Sequence, residues 1–144
     1  MKITTLKKAE KAELKDIQAL MTELSSDPSK HTPVKLAVIK ALLKDKRSTV
    51  VIAVDGKRIV GMGNLGTFRT LRGVTGYIDD VVVLSEYRGK GLGEKISREI
   101  MAIAKKKKLY RLDLTSRPYR AAANKLYQKL GFELRETNAY TIKP

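Results

Sequence analysis

The feature that most restricts the fold is a valine run that leads directly into a glycine-rich turn. Val81-Val82-Val83-Leu84 is apolar without a break, which predicts a β-strand buried on both faces. Arg88-Gly89-Lys90-Gly91-Leu92-Gly93 follows, and apolar residues then recur at helical spacing as far as Ala104. A buried strand that turns tightly into an amphipathic helix indicates a layered α/β domain.

Strand and helix signals on either side extend this unit to the whole chain. The predicted segments lie at residues 3–6, 14–24, 33–42, 49–54, 58–68, 73–84, 91–107, 109–115, 119–130 and 132–142. The predicted order is β-α-α-β-β-β-α-β-α-β, and residues 132–142 are expected to hold one or two strands. No linker divides the chain, so we expect one domain over residues 1–144, with helices on both faces of a mixed, mostly antiparallel sheet.

The charge is unusual for a chain of this length. Thirty Lys and Arg residues against fifteen Asp and Glu give a formal net charge of +15, which attracts RNA, acidic membrane surfaces or phosphorylated small molecules. A solvated basic surface explains the charge equally well. Lys105-Lys106-Lys107-Lys108, for example, lies where a helix should end, and the helix dipole favours cations there without any partner.

The composition excludes several kinds of site. The chain has no cysteine, which rules out a disulfide framework, a thiolate metal site and a cysteine nucleophile. The longest apolar runs, 50–54 and 81–84, are too short to span a bilayer, and the first residues lack the apolar core of a signal peptide. We therefore expect a cytoplasmic protein without a metal. His31, the one histidine, lies in a polar loop and is not expected to be catalytic.

The glycine turn has the properties of a diphosphate cradle. A helix start leaves backbone N–H groups unpaired at the positive end of the helix dipole. Glycines at positions 89, 91 and 93 remove the side chains that would hold an anion away from those amides, and Arg88 and Lys90 add positive charge. A turn that needs glycine only for its backbone shape is the structural alternative.

Two motifs resemble one known family. Arg88-Gly89-Lys90-Gly91-Leu92-Gly93 is similar to the coenzyme A-binding signature Gln/Arg-x-x-Gly-x-Gly/Ala of the GNAT superfamily of N-acetyltransferases. Leu126-Tyr127-Gln128-Lys129-Leu130-Gly131-Phe132 is similar to that family's second signature, Leu-Tyr-x-Lys-x-Gly-Phe, at the expected distance downstream. The resemblance covers residues 79–137, while the N-terminal half agrees only in the order of its elements.

The resemblance implies a fold, a cosubstrate and a reaction. In that family the strand before the turn splays from the next strand, and the acyl-pantetheine arm of acetyl-coenzyme A lies in the gap. Backbone groups of Val81, Val82 and Val83 would bind the arm, and residues 88–93 would hold the diphosphate. A free amine attacks the thioester directly, and the Tyr127 phenol protonates the departing thiolate. The structural alternative for Tyr127 is a helix tyrosine packed on the sheet.

The general base is expected among two adjacent carboxylates, Asp79 and Asp80. Strand alternation sends them to opposite faces, so only one should face the substrate unless a bulge intervenes. Tyr77-Ile78-Asp79-Asp80-Val81-Val82-Val83 resembles the matching stretch of glucosamine-phosphate N-acetyltransferases, which carry Glu-Asp there. We favour Asp79 as the base or amine-orienting group, and a structural aspartate is the alternative.

One position departs from the family pattern. Many members carry an asparagine seven residues before the tyrosine, where it helps to hold the coenzyme, whereas this chain has Arg120 there and Asn124 closer to Tyr127. Asn124 is included among the expected coenzyme contacts, and Arg120 is a second candidate. An exposed helix residue is the structural alternative for both.

The sequence therefore predicts an acetyl-coenzyme A-dependent N-acetyltransferase with a small-molecule or peptide amine as acceptor. A monomer or homodimer is expected, without a membrane or nucleic-acid partner. Two rival interpretations are a basic RNA-binding module and a non-catalytic domain that binds acetyl-coenzyme A. Aromatic residues make up only 6% of the chain and no RNA-recognition signature is present, which disfavours the first rival.

Overall fold

The computed structural model describes residues 1–27, 29 and 32–144. The described residues form five strands, four α-helices and one short 3₁₀ turn, Ser85–Tyr87. In chain order the elements are β1 (Lys2–Thr5), α1 (Lys11–Leu24), α2 (Leu36–Lys44), β2 (Ser48–Asp55), β3 (Arg58–Thr70), β4 (Gly73–Val83), α3 (Leu92–Lys106), β5 (Arg111–Leu114) and α4 (Ala121–Lys129). The predicted order of elements is confirmed as far as α4.

The five strands form one sheet in chain order, β1-β2-β3-β4-β5. The first three pairings are antiparallel: the chain from β1 to β2 passes through α1 and α2, whereas short turns join β2 to β3 and β3 to β4. Strands β4 and β5 run parallel, and α3 connects them. The predicted mixed, mostly antiparallel sheet is therefore confirmed.

Helices cover both faces of the centre of the sheet. Five consecutive residues of β3, Ile59 to Gly63, are buried, and successive strand residues face opposite sides, so neither side is open to solvent there. Both α1 and α3 pack on β3 and β4. Helix α3 lies very close, because a Cβ atom added to Gly63 would come within 2.9 Å of the Ile96 side chain.

The second helix begins later than its proline suggested. Helix α2 starts at Leu36, and residues 32–35 are extended or irregular. The Val34 N–H donates a hydrogen bond of 2.6 Å to the Gln18 side chain of α1, which holds this segment against α1 before the helix can begin. The prediction of a helix from Pro33 was therefore wrong by about one turn.

The predicted strand after α4 is absent from the structure. Residues 133–144 carry no strand, and Leu134, Tyr140 and Ile142 are 94%, 88% and 86% exposed. An alternating apolar pattern forms a strand only where a neighbouring strand completes its ladder. Here β5 ends the described sheet with an unpaired outer edge, and the tail forms an ion pair from Arg135 to Asp113 at 3.6 Å but no ladder with that edge. No helix within the described ranges is long and apolar enough to cross a membrane.

Candidate active site

Strands β4 and β5 diverge at the centre of the molecule, as the family resemblance implied. Strand β5 pairs with β4 only over Thr75–Ile78, although β4 continues to Val83. The Leu84 N–H bonds to the Val60 carbonyl of β3, and successive residues direct their backbone groups to opposite edges. The backbone groups of Val81 and Val83 therefore face the open edge towards β5, while those of Val82 face β3.

A β-bulge interrupts β4 at the two candidate carboxylates. Met62 pairs with Val82 and Asn64 pairs with Asp79, so the single residue Gly63 lies opposite both Asp80 and Val81. Asp80 adopts the left-handed conformation, with a φ of 53°, and its N–H donates to the Asp79 Oδ1 at 2.9 Å. Strand alternation therefore does not force the Asp79 and Asp80 side chains to opposite faces, because a bulge lies between them and the following residues.

The two carboxylates have different surroundings. Burial, and secondly the negative charge of Asp79, raise the pKa of the Asp80 carboxyl above its ordinary value. Asp79 is exposed and uses one oxygen to accept the Asp80 N–H. A base that receives a proton from an ammonium group benefits from a raised pKa, which suits the surroundings of Asp80, and the role expected of Asp79 stays a prediction.

The glycine turn is open where an anion would approach. Gly89 and Gly91 have φ angles of +74° and +73°, and a Cβ atom at either position would meet nothing within 4 Å. Gly91 is the N-cap of α3 and no side chain caps the helix, whose first backbone bond runs from the Lys95 N–H to the Gly91 carbonyl. The amides of residues 92–94 are therefore left for an outside acceptor.

The two other residues of the motif contact the protein. Leu92 is 2% exposed, so its side chain belongs to the core and only its backbone belongs to the turn. A Cβ atom added to Gly93 would lie 3.6 Å from the Leu126 side chain of α4. The third glycine therefore provides space for helix packing as well as for a ligand.

The two cations of the turn are already engaged. Arg88 bonds to the Glu23 carboxylate of α1 at 2.9 Å and to the Val83 carbonyl at 3.1 Å. Lys90 places its ammonium group 4.8 Å from the ring centre of Tyr87. Arg88 thus braces the turn against α1 and occupies one of the backbone groups at the open edge.

Helix α4 brings the second motif against the first. Besides the Leu126 contact, the Lys129 ammonium group bonds to the Glu94 carboxylate in the first turn of α3 at 2.7 Å. Tyr127 is half-buried, and burial raises the pKa of its phenol although the charge of Arg120 opposes the shift. Its ring meets Phe132 edge to face, with centroids 5.9 Å apart. The phenol is therefore held in its protonated form, as a proton donor must be.

Arg120 and Asn124 hold the segment that leads into α4. The Arg120 guanidinium donates to the Leu24 carbonyl at the end of α1, at 2.9 Å. The Asn124 side-chain amide donates to the carbonyls of Arg117 and Pro118 at 3.1 and 3.4 Å. These bonds give both residues a structural role, and the expected coenzyme contact of Asn124 stays a prediction.

Glu23 is a site residue that the sequence did not indicate. Its carboxylate accepts a hydrogen bond from the Ser85 hydroxyl at 2.8 Å and pairs with Arg88, and the Ser85 bond is the main reason that its pKa is lowered. It borders a cavity of ≈ 500 Å³ at this end of the sheet. More than 60 residues separate it from the turn, and an isolated glutamate on a helix carries no sequence signal.

Nothing in the described part of the chain groups three or more metal-ligating side chains in a way that could hold a metal ion. His31 lies outside the described residues.

Comparisons with known proteins agree with this geometry. The model of the Acetyltransferase (GNAT) family matches residues 14–132. Thialysine N-epsilon-acetyltransferase of Bos taurus is 34% identical over 78 residues, which are 54% of this chain and 46% of that protein. The match therefore spans about half of the length of this relative.

Solved structures share the fold over nearly the whole chain. A putative acetyltransferase from Agrobacterium tumefaciens str. C58 has a TM-score of 0.83 at 23% identity and covers 100% of both chains. Glucosamine-6-phosphate N-acetyltransferase from Arabidopsis thaliana has a TM-score of 0.78 at 20% identity and covers 99% of both. The α/β fold that the motifs implied is confirmed, and the chain belongs to the GNAT family of acetyltransferases.

Proposed function

We propose that this protein transfers an acetyl group from acetyl-coenzyme A to a primary amine. One observation carries the proposal: the open backbone edge of β4 leads directly to the uncapped amino end of α3. An extended arm with a diphosphate at its end matches both features, because the edge offers strand-like hydrogen bonds and the helix end offers N–H groups.

The residues that would hold acetyl-coenzyme A fit its chemistry. The backbone groups of Val81 and the N–H of Val83, whose carbonyl is bonded to Arg88, face the pantetheine arm, and the amides of residues 89–94 surround the position of the diphosphate. The glycines at 89 and 91 leave that space free of side chains. When bound, the coenzyme supplies an activated acetyl thioester.

Two side chains then transfer protons, one as a general base and one as a general acid. An amine acceptor arrives mostly as an ammonium ion and must lose a proton before it can attack, and Asp80 accepts that proton. The Tyr127 phenol gives its proton to the sulfur as the bond from carbon to sulfur breaks. The raised pKa of each group suits its role, because Asp80 becomes a stronger base and Tyr127 stays protonated.

The acceptor is proposed to be a primary amine on a flexible chain. The name of the Bos taurus relative makes thialysine and lysine the first acceptors to assay. Aminosugars, polyamines and peptide amines complete the panel. Product formation separates an enzyme from a domain that only binds the coenzyme.

The test compares Tyr127→Phe with Tyr140→Phe, a control at an 88% exposed tyrosine. We expect Tyr127→Phe to lower kcat by about 100-fold or more, the usual effect of a general acid, and to leave coenzyme affinity by calorimetry within about twofold. The control should match the wild type in both measurements. Equal kcat values for both variants would remove Tyr127 from the reaction. Failure of the wild-type protein to bind acetyl-coenzyme A would contradict the whole proposal.

A further inference from the structure

Seven of the thirty basic residues lie at the end of the sheet opposite the glycine turn. The β3–β4 hairpin contributes Arg69 and Arg72, and the segment from the end of α3 into β5 contributes Lys105–Lys108 and Arg111. Residues 68–73 and 105–111 contain these seven cations and no acidic residue. We call this surface the basic end patch.

The fold brings the two segments together. The Tyr110 N–H donates to the Val74 carbonyl at 2.8 Å, and Arg111 pairs with Thr75 in the first register position of the parallel ladder. Lys108 precedes Tyr110 by two residues, which places its Cα atom within about 7.6 Å of that of Tyr110. The lysine run therefore lies beside the hairpin.

Most of these cations have no protein partner. Arg111 is paired with Asp113 at 2.7 Å, while Arg69, Arg72 and Lys105–Lys108 form no ion pair with any residue that the structure describes. All six are exposed. The helix dipole explains a preference for cations at the end of α3, but it does not explain the arginines of the hairpin.

The coenzyme does not account for this charge either. The basic end patch adjoins the start of β4, whereas the glycine turn follows its end. Eleven residues of extended strand separate the two by roughly 30 Å. Charges this far apart in water interact weakly, because the distance is several Debye lengths at physiological salt.

Exposed aromatic side chains lie among the cations. Phe68 and Tyr110 are 52% and 55% exposed, and Phe68, Thr75 and Arg111 form one cross-strand row. A cavity of ≈ 350 Å³ beside them is lined by Tyr110, Arg72 and Arg111, together with two threonines and Leu71. A flat ring can enter such a cavity and stack on a tyrosine or an arginine while phosphates meet the lysines.

We infer that the basic end patch binds single-stranded nucleic acid, with bases stacked at Tyr110 and the phosphate backbone along Lys105–Lys108. An anionic bilayer would also attract the cations, but a concave cavity with Tyr110 in its wall fits a protruding base better than a membrane surface. The inference changes the expectation drawn from composition, because a low aromatic content does not prevent one exposed tyrosine from lying among several cations. It does not depend on the proposed acetyl transfer.

The test measures binding of a fluorescent 12-nucleotide single-stranded RNA by anisotropy over a range of salt concentrations. The variant K105Q/K106Q/K107Q/K108Q removes four charges from the patch, and K7Q/K8Q/K11Q/K15Q removes four exposed charges elsewhere. Y110L removes the stacking ring, and Y140L is its control at an exposed tyrosine. Thermal unfolding checks that each variant is folded.

We expect the patch variant to weaken binding at least 10-fold and to reduce the salt slope by roughly 3, since each phosphate contact to a single strand contributes about 0.7. Y110L should weaken binding by about 5-fold or more, and both controls should stay within about twofold. Equal losses in the two quadruple variants would overturn the inference, and so would an unchanged Y110L. Displacement of the RNA by acetyl-coenzyme A, or binding to phosphatidylserine vesicles without RNA binding, would also overturn it.

Discussion

Two glycines with similar positive φ angles allow ligand binding to be separated from folding. Gly91, at the start of α3, has a φ of +73°, and Gly56, in the β2–β3 hairpin, has a φ of +59°. An added Cβ atom would meet nothing within 4 Å at either position. Replacement by alanine therefore costs only the left-handed conformation, about 1–2 kcal/mol in each case. With an unfolding entropy of about 0.3 kcal/mol/K for 144 residues, the Tm should fall by about 3–7 °C.

Only Gly91→Ala should affect the coenzyme. Its methyl group would stand in front of the free amides of residues 92–94, where the diphosphate is proposed to bind. We expect acetyl-coenzyme A to bind at least 10-fold more weakly by calorimetry, a loss of about 1.4 kcal/mol or more. Gly56→Ala should lose similar stability and keep its affinity.

Two results would refute this reasoning. If Gly91→Ala binds acetyl-coenzyme A as the wild type does, the amides at the start of α3 do not hold the diphosphate. If Gly56→Ala weakens binding by the same factor, the loss at Gly91 reports general destabilisation and not a local contact.

Three further predictions follow from single contacts. Asp80→Asn should abolish the acid limb of the pH profile of kcat/KM, whereas Asp79→Asn should move that limb to lower pH, because the charge of Asp79 raises the pKa of Asp80. The folded protein disfavours the ionised form of Asp80, so the wild type loses stability as the pH rises from the ordinary carboxyl pKa through the raised one. At neutral pH, Asp80→Asn should therefore have a higher Tm than the wild type. Glu23→Gln should lower the Tm by an amount equivalent to less than about 1 kcal/mol, since the pair with Arg88 is partly exposed. The pKa of Glu23 is lowered in the folded protein, so the difference in Tm between variant and wild type should disappear as the pH falls through that lowered pKa. Gly76→Ala would place a Cβ atom 2.5 and 2.9 Å from two leucine side chains and should cost about 1–3 kcal/mol in denaturant unfolding, whereas Gly66→Ala, whose nearest neighbour would be at 4.0 Å, should be close to neutral.

Local signals predicted the strand-turn-helix unit well. The valine run, the glycines at 89 and 91 and the apolar stripe of α3 each determine structure within a few residues, so their positions can be read directly from the chain. The second motif also marked α4 and its end at Gly131, but the contact of α4 with the start of α3, where Lys129 bonds to Glu94, was not predicted.

Features that depend on distant pairing were missed or left open. The bulge at Asp80 exists because β3 and β4 pair in different registers on its two sides, and neither strand alone contains that information. The same holds for Glu23 and Arg120, whose partners lie far away in the sequence. The expected tail strand was also wrong: β5 ends the described sheet with an unpaired outer edge, yet residues 133–144 form no ladder with it, because an alternating apolar pattern does not by itself determine pairing. The cytoplasmic location and the oligomeric state stay predictions.

The bulge also separates one carboxylate from the packing around it. Because Gly63 lies opposite both Asp80 and Val81, deletion of Asp80 would leave one residue opposite one, and Val82 would keep Met62 as its partner. Side-chain alternation would then run unbroken along β4, and the side chains of Val81 and Val83 would stay beside Gly63 and Gly61, where α3 packs. A one-residue deletion at this point should therefore remove the Asp80 carboxylate and the local bend of the strand, while the packing of β4 against α3 is kept.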